Sequence, residues 1–227
     1  MTSLARLAAS AAGVLLWVVA PCAAQDQTPR SHEEMHRLHR DPKAYIAMLE
    51  DPKRDAYQKP HEVVTALGLK PGETLADIGS GSGYFALRFA AHVGEQGRVF
   101  AVDVDPEMVR HLNRRIRDAG VRNVQTVLAD PDDPLLPDAS LDRFVVVNTW
   151  HHIGQREDYA RKLHDALKPG GAVLIVDFTL DSDIGPPKSH RLTEHEVMRE
   201  LSAAGFETSI VTETLPKQYL VRGSRKP

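Results

Sequence analysis

The chain has 227 residues, 42% of them apolar and 26% charged, which suits one ordinary globular domain with room for an appendage. A formal net charge of −3 lacks the basic excess of a general nucleic-acid binder, so no nucleic-acid partner is expected. The single cysteine, Cys22, excludes an internal disulfide, and the fold must stand on its own core.

Residues 1–24 read as a secretory signal peptide. Arg6 precedes and joins the apolar run at 7–20, Pro21 breaks it, and Cys22-Ala23-Ala24 supply small residues for cleavage. The run is shorter than the roughly 20 apolar residues of a comfortable membrane span. A periplasmic or secreted protein with no stable membrane span after cleavage is expected; a retained, membrane-anchored leader is the alternative. Cys22 as the acylated residue of a lipoprotein is disfavoured by Pro21, which stands where that signal wants a small residue. Cleavage would remove the only thiol and with it any thiolate chemistry.

Residues 25–56 form a polar extension punctuated by His and Pro, with short helical stretches near 33–38 and 44–49. It contains His32-Glu33-Glu34-Met35-His36, a match to the H-E-x-x-H zinc pattern, with His39 nearby. Surroundings this polar suit a solvated helix better than a buried catalytic one, so no metal site is expected.

A regular pattern occupies 57–227. Residues 75–78 are a short apolar strand, followed by a Gly-rich turn and an amphipathic stretch at 84–93. A second strand at 99–102 leads to Pro106, which opens a helix that runs to about 119 and stops at Gly120. Runs at 124–128 and 144–147 are β-rich, and 156–167 is helical up to Pro169-Gly170-Gly171. Residues 172–178 are continuously apolar, as in a strand buried on both faces. A helix at 193–204 closes at Gly205, and strands at 206–212 and 218–221 follow, joined across Pro216. This alternation predicts an α/β, doubly wound, Rossmann-like sheet, mostly parallel with a C-terminal antiparallel hairpin.

The first strand ends in Asp77-Ile78-Gly79-Ser80-Gly81-Ser82-Gly83. Ligands of such sheets bind beyond the carboxyl ends of the strands, and glycines there let backbone and ligand approach closely. A dinucleotide fingerprint would want glycine at 84, where this chain has Tyr84. Asp103 ends the second strand, where an acid can take both hydroxyls of a ribose. Asp130 follows the third, placed to accept from an adenine amino group.

With these residues the chain resembles the class I S-adenosylmethionine-dependent methyltransferases, of the ubiquinone/menaquinone C-methyltransferase-like group. The likeness rests on the turn at 77–83, on Ala101-Val102-Asp103-Val104-Asp105, on Ala129-Asp130, on Asn148-Thr149-Trp150-His151-His152 and on Leu167-Lys168-Pro169-Gly170-Gly171. It implies a seven-stranded sheet and S-adenosyl-L-methionine as cofactor. Asp77, Gly79 and Gly81 would surround the cofactor's methionine end, Asp103 would hold the ribose and Asp130 the adenine, with Ser80, Gly83 and Val104 also among the cofactor-binding residues. Asn148 would line the methyl-transfer pocket. A nicotinamide-dependent Rossmann enzyme is the competing reading, opposed by Tyr84 and the terminal hairpin.

For chemistry, His151 and His152 follow the fourth strand, and either imidazole can take a proton near neutral pH. The plainer role for the pair is packing. Tyr57, Gln58 and Lys59 stand where related enzymes fold a segment over the cofactor, and Arg191 is a candidate for an anionic acceptor group. The expected function is methyl transfer to a small-molecule acceptor; a binding protein without turnover is the alternative.

Overall fold

The computed structural model describes residues 41–212 and 215–227. The leader, Cys22 and the histidine motif at 32–36 lie outside the described residues.

Seven strands form one sheet: β1 (Thr74–Ile78), β2 (Arg98–Asp103), β3 (Val124–Leu128), β4 (Leu141–Val147), β5 (Leu167–Phe178), β6 (Glu207–Ile210) and β7 (Gln218–Ser224). Their order is β3-β2-β1-β4-β5-β7-β6. β1 to β5 run parallel, whereas β7 is antiparallel to both β5 and β6. The C-terminal hairpin therefore does not simply extend the sheet: its second strand inserts between β5 and its first. The chain reverses its direction of winding between β1 and β4, and the crevice at their carboxyl ends is the ligand position for such a sheet.

Helices cover both faces because the central strands are apolar on both. Phe144 and Val146 of β4 pack with Val173 and Ile175 of β5 on one face, under Tyr159, Ala160 and Leu163 of α6 (Arg156–Ala166) and Val197 and Leu201 of α7 (Glu194–Ala203). Val145, Val147, Leu174 and Val176 point to the other face. There they meet α3 (Pro60–Leu67), α4 (Ala86–Val93) and α5 (Pro106–Asp118). α5 shows the local logic. Asp105 caps it by accepting from Glu107 N–H at 2.7 Å, Pro106 sits in its first turn, and Met108, Leu112 and Ile116 bury one stripe at helical spacing. Before α3, the chain folds into α1 (Pro42–Leu49) and α2 (Asp55–Gln58). Among the described residues, no helix is long and apolar enough to cross a membrane.

Two expectations are corrected. The helix at 156–166 passes directly into β5 at Leu167, so Pro169-Gly170-Gly171 lies inside a strand and not in a connecting loop. Pairing jumps from Leu141↔Leu167 to Arg143↔Ala172, which leaves these residues as a bulge whose polar groups turn to the C-terminal tail; Arg225 N–H reaches Gly171 O at 2.8 Å. β4 begins at Leu141 rather than 144, since Arg143 and Asp142 are tolerated there by ion pairs with Glu73 and Lys168, each at 2.9 Å.

Candidate active site

A cavity of about 790 Å³ opens at the carboxyl ends of β1, β2 and β4. Its floor is the turn after β1. Gly79 and Ser80 N–H both donate to Val102 O, at 2.8 and 3.0 Å, which ties the turn to β2. Gly79 holds φ +72°, and a Cβ there would lie 2.3 Å from Thr149 Oγ1. The turn and the β4 loop thus approach closely because Gly79 has no side chain.

Asp77 is 2% exposed and lines this cavity; its Oδ2 has no hydrogen-bond partner among the described residues. Burial, and then the neighbouring Asp103, raise its carboxyl from 3.8 to about 7, against a backbone hydrogen bond from Ala86. Asp103 braces the turn: Oδ2 accepts from Gly81 N–H at 2.7 Å and Oδ1 from Asp105 N–H at 2.9 Å. Burial pushes its carboxyl up, while the hydrogen bonds from Asp105 and Gly81 oppose the rise. Ser80, Val104 and Asn148 also face the cavity. Asn148 has φ +54°, and its Oδ1 accepts from Gln218 Nε2 at 2.5 Å.

Two residues expected here stand elsewhere. Gly83 does not line the cavity; a Cβ on it would meet Leu112 Cδ1 at 2.2 Å, so its glycine lets α5 pack closely. Asp130 is exposed and outside the wall, between the lining residues Ala129 and Pro131, and its backbone bridges to Asp133.

The histidines ride on a short 3-10 turn at Trp150–His152. Trp150, fully buried, anchors the turn by donating from Nε1 to Glu200 Oε2 at 2.8 Å, and Arg156 pairs with the same carboxylate at 2.9 Å. Both histidines line the cavity with ring centroids 4.1 Å apart. His151 Nδ1 lies 2.8 and 2.9 Å from the two oxygens of Asp177 on β5. Asp177 is a residue the sequence reading missed. Its signal was a lone acid in an otherwise apolar strand.

The segment from α1 to α2 closes the cavity from above the turn. Tyr45, Met48, Leu49 and Tyr57 line it, and Leu49 Cδ1 would be 3.0 Å from a Cβ on Gly81. Burial and Asp103 push the Tyr45 phenol up to about 12, so it stays neutral. Two anchors hold the segment. Glu50 pairs with His111 at 2.7 Å and Arg115 at 3.1 Å. Asp55 accepts from Tyr84 Oη, and the guanidinium groups of Arg54 and Arg88 lie over the Tyr84 ring, 4.4 and 4.0 Å from its centroid. Tyr84, which breaks the dinucleotide pattern, is therefore a docking post for this segment. Gln58 is fully buried, outside the cavity wall.

Arg191 does not reach toward a ligand. Its guanidinium donates to the carbonyls of Pro186, Thr179, Ser182 and Ile184, at 2.8, 3.0, 2.6 and 3.0 Å. It shapes the loop whose Ile184, Gly185 and Pro186 line the cavity. Arg191→Lys, which keeps the charge but loses the planar fork, should raise the acceptor KM about tenfold with cofactor affinity held within twofold. Steady-state kinetics and cofactor titration check this; an unchanged KM would contradict it. Among the described residues no group of three or more metal-ligating side chains occurs.

Comparison with known proteins places this cavity in context. A family model described as "Methyltransferase domain" matches residues 75–171. The chain is 34% identical over 113 residues to a ubiquinone/menaquinone biosynthesis C-methyltransferase of Ectopseudomonas mendocina, covering 49% of this chain and 44% of that one. The counterpart from Azotobacter vinelandii is 32% identical over 117 residues, 51% and 46% of the two chains. These matches span less than half the length of the curated relatives. The structure is also similar to a SAM-dependent methyltransferase from Aquifex aeolicus, at 30% identity and a TM-score of 0.76, covering 81% of this chain and 98% of that one. A Haemonchus contortus phosphoethanolamine N-methyltransferase in complex with S-adenosyl-L-methionine shares the fold at 16% identity and a TM-score of 0.62, over 75% and 53% of the chains.

Proposed function

Because the chain belongs to the S-adenosylmethionine-dependent methyltransferases, we propose that it methylates a small, largely apolar acceptor bearing an ionisable hydrogen. One observation carries this reading: a single cavity joins the glycine turn and its carboxylates to the histidine pair and to Phe178, Ile184 and Pro186.

The residues present suit the cofactor. Asp77 offers a buried carboxylate oxygen with no partner among the described residues, complementary to an ammonium. Asp103 offers a fixed carboxylate for ribose hydroxyls, and Val104, Met108 and Ala129 supply apolar wall for an adenine. When bound, S-adenosylmethionine supplies a methyl group on a positively charged sulfur that leaves as a neutral thioether. The protein's own part is alignment, exclusion of water by the α1–α2 segment, and removal of the acceptor's proton by the histidine pair. Apolar walls on the β5 side favour an acceptor with little charge. The curated relatives, C-methyltransferases of ubiquinone and menaquinone biosynthesis, support an apolar acceptor of this kind.

Incubation with methyl-labelled S-adenosylmethionine and a panel of phenols, quinols, amines and thiols tests the reading. Label should enter an organic-soluble product of one class. Cofactor binding with no transfer to any class would point instead to a sensor or degenerate enzyme. The apolar leader supports a place of action outside the cytoplasm, with a retained anchor as the alternative; fractionation and N-terminal sequencing of the native protein test it.

A further inference from the structure

The Asp177 carboxylate is held from three directions. Phe178 N–H donates to Oδ1 at 2.8 Å, His151 N–H reaches Oδ2 at 3.3 Å, and His151 Nδ1 lies against both oxygens. Both side chains of the pair are 3% exposed. The acid sits on β5 between Val176 and Phe178, where a charge is costly unless it is used. An ionised carboxylate can only accept, so the ring nitrogen facing it must carry the hydrogen. A neutral His151 then has its lone pair on Nε2, and that is the ring nitrogen left for a ligand in the cavity. His152 also lines the cavity, but it is exposed, and it is the His151 ring that meets the carboxylate of β5.

We propose that Asp177 is a positioning residue that fixes His151 with its proton on Nδ1, so that His151 and not His152 takes the acceptor's proton at Nε2. This rests on the methyl-transfer reading above. In the step, the acceptor's O–H, N–H or acidic C–H bond breaks and its proton moves to Nε2. The electron pair left on the acceptor would form the new bond to the methyl carbon as the carbon–sulfur bond of bound S-adenosylmethionine breaks, its electron pair staying on the departing sulfur. The imidazolium faces Asp177, which stabilises it, and it returns its proton to water between turnovers. Around the pair stand His152 on the same turn, Tyr219 opposite Asp177 on β7, and the Lys217–Asp183 pair at the cavity wall.

Nitrogen-15 spectra of the histidine rings in the full chain read the tautomer directly, without acceptor or turnover. Wild-type His151 should be in the Nδ1–H form when neutral. In Asp177→Asn the amide N–H faces Nδ1 and should switch the ring to the Nε2–H form. With the acceptor identified as above, that variant should lose about 10²–10⁴-fold in kcat. KM and cofactor Kd should stay within threefold. His151→Asn should slow the reaction as much, and the double variant should be no slower than either single one, since the two act as a unit. A wild-type His151 in the Nε2–H form overturns the proposal even if Asp177→Asn does not fold. So does an Asp177→Asn rate within threefold of wild type, or a greater loss in His152→Asn than in His151→Asn. The expected tautomers in a protein that methylates nothing would refute the methyl-transfer reading while leaving the pairing itself intact.

Discussion

Gly79→Ala should cost more than a hundredfold in cofactor affinity and lower the melting temperature by roughly 5–15 °C. The first cause is backbone. At φ +72° an L-residue pays on the order of 1–2 kcal/mol that glycine does not. The second is contact. The new Cβ would lie 2.3, 2.4 and 2.8 Å from Thr149 Oγ1, Cγ2 and Cβ, and overpacking of this kind costs about 1–3 kcal/mol. Thr149 has little freedom to yield, because its side chain is branched at Cβ and its hydroxyl donates to Val147 O at 3.1 Å. The turn must move instead, straining the bonds from Gly79 and Ser80 to Val102. Thr149→Ala in the same chain removes the two nearest atoms and should recover part of the stability, with a coupling of roughly 1 kcal/mol. Strict additivity of the two changes, or wild-type cofactor affinity in Gly79→Ala, would contradict this packing.

Asp77→Asn should stabilise the free protein and weaken its cofactor binding. The carboxyl of Asp77 titrates near 7 in the folded chain and near 3.8 without its surroundings. For an acid raised in this way, the folded state holds the proton more tightly. The stability it contributes is therefore present below about pH 4 and is lost as pH rises through 7. The loss is worth a few kcal/mol at most. Asparagine keeps an acceptor for the Ala86 N–H but has no charge to desolvate. At pH 8 the variant should melt roughly 3–8 °C higher than wild type, and the difference should vanish toward pH 4. On the proposed placement of the cofactor, with an ionised Asp77 as the partner for the ammonium, affinity moves oppositely. Wild-type affinity should fall as pH drops below 7, by up to about tenfold per pH unit, while the variant binds at least tenfold more weakly at pH 8 with a flatter profile. Melting curves and titrations at pH 5, 6.5 and 8 check both halves. A variant less stable than wild type at pH 8, with unchanged affinity, would remove Asp77 from the cofactor site.

Most of the central sheet is legible in the sequence because β1, β2, β4 and β5 carry apolar runs, the first two closed by Gly79 and by Asp103; β3 is matched at 124–128 to the residue. The start of β4 is not, because Asp142 and Arg143 look like loop residues until their partners Lys168 and Glu73 arrive from other parts of the chain. Pairing of β7 between β5 and β6 is likewise a long-range fact. Within the site, the turn and Asp103 are marked by local pattern, since glycines and strand-end acids have few other uses there. Gly83 follows the same pattern, yet its glycine serves the contact with Leu112. Arg191 read as a ligand for an anion because nothing local shows the loop carbonyls it holds. Tyr45 and Leu49 sit in a short apolar helix, and only the fold shows that it is laid over the cavity. Asp177 needed the fold to bring β5 beside the turn after β4.

Isothermal titration of S-adenosylmethionine into the full chain at pH 8 tests the cofactor site most directly. One site per chain is expected in the wild type. Asp103→Ala should weaken it strongly, since charge-assisted hydrogen bonds are worth roughly 1.5–3 kcal/mol each, whereas His151→Asn should bind nearly as tightly as wild type. No binding by the wild type, or undiminished affinity in a folded Asp103→Ala, would contradict a cofactor held between the glycine turn and the carboxyl end of β2.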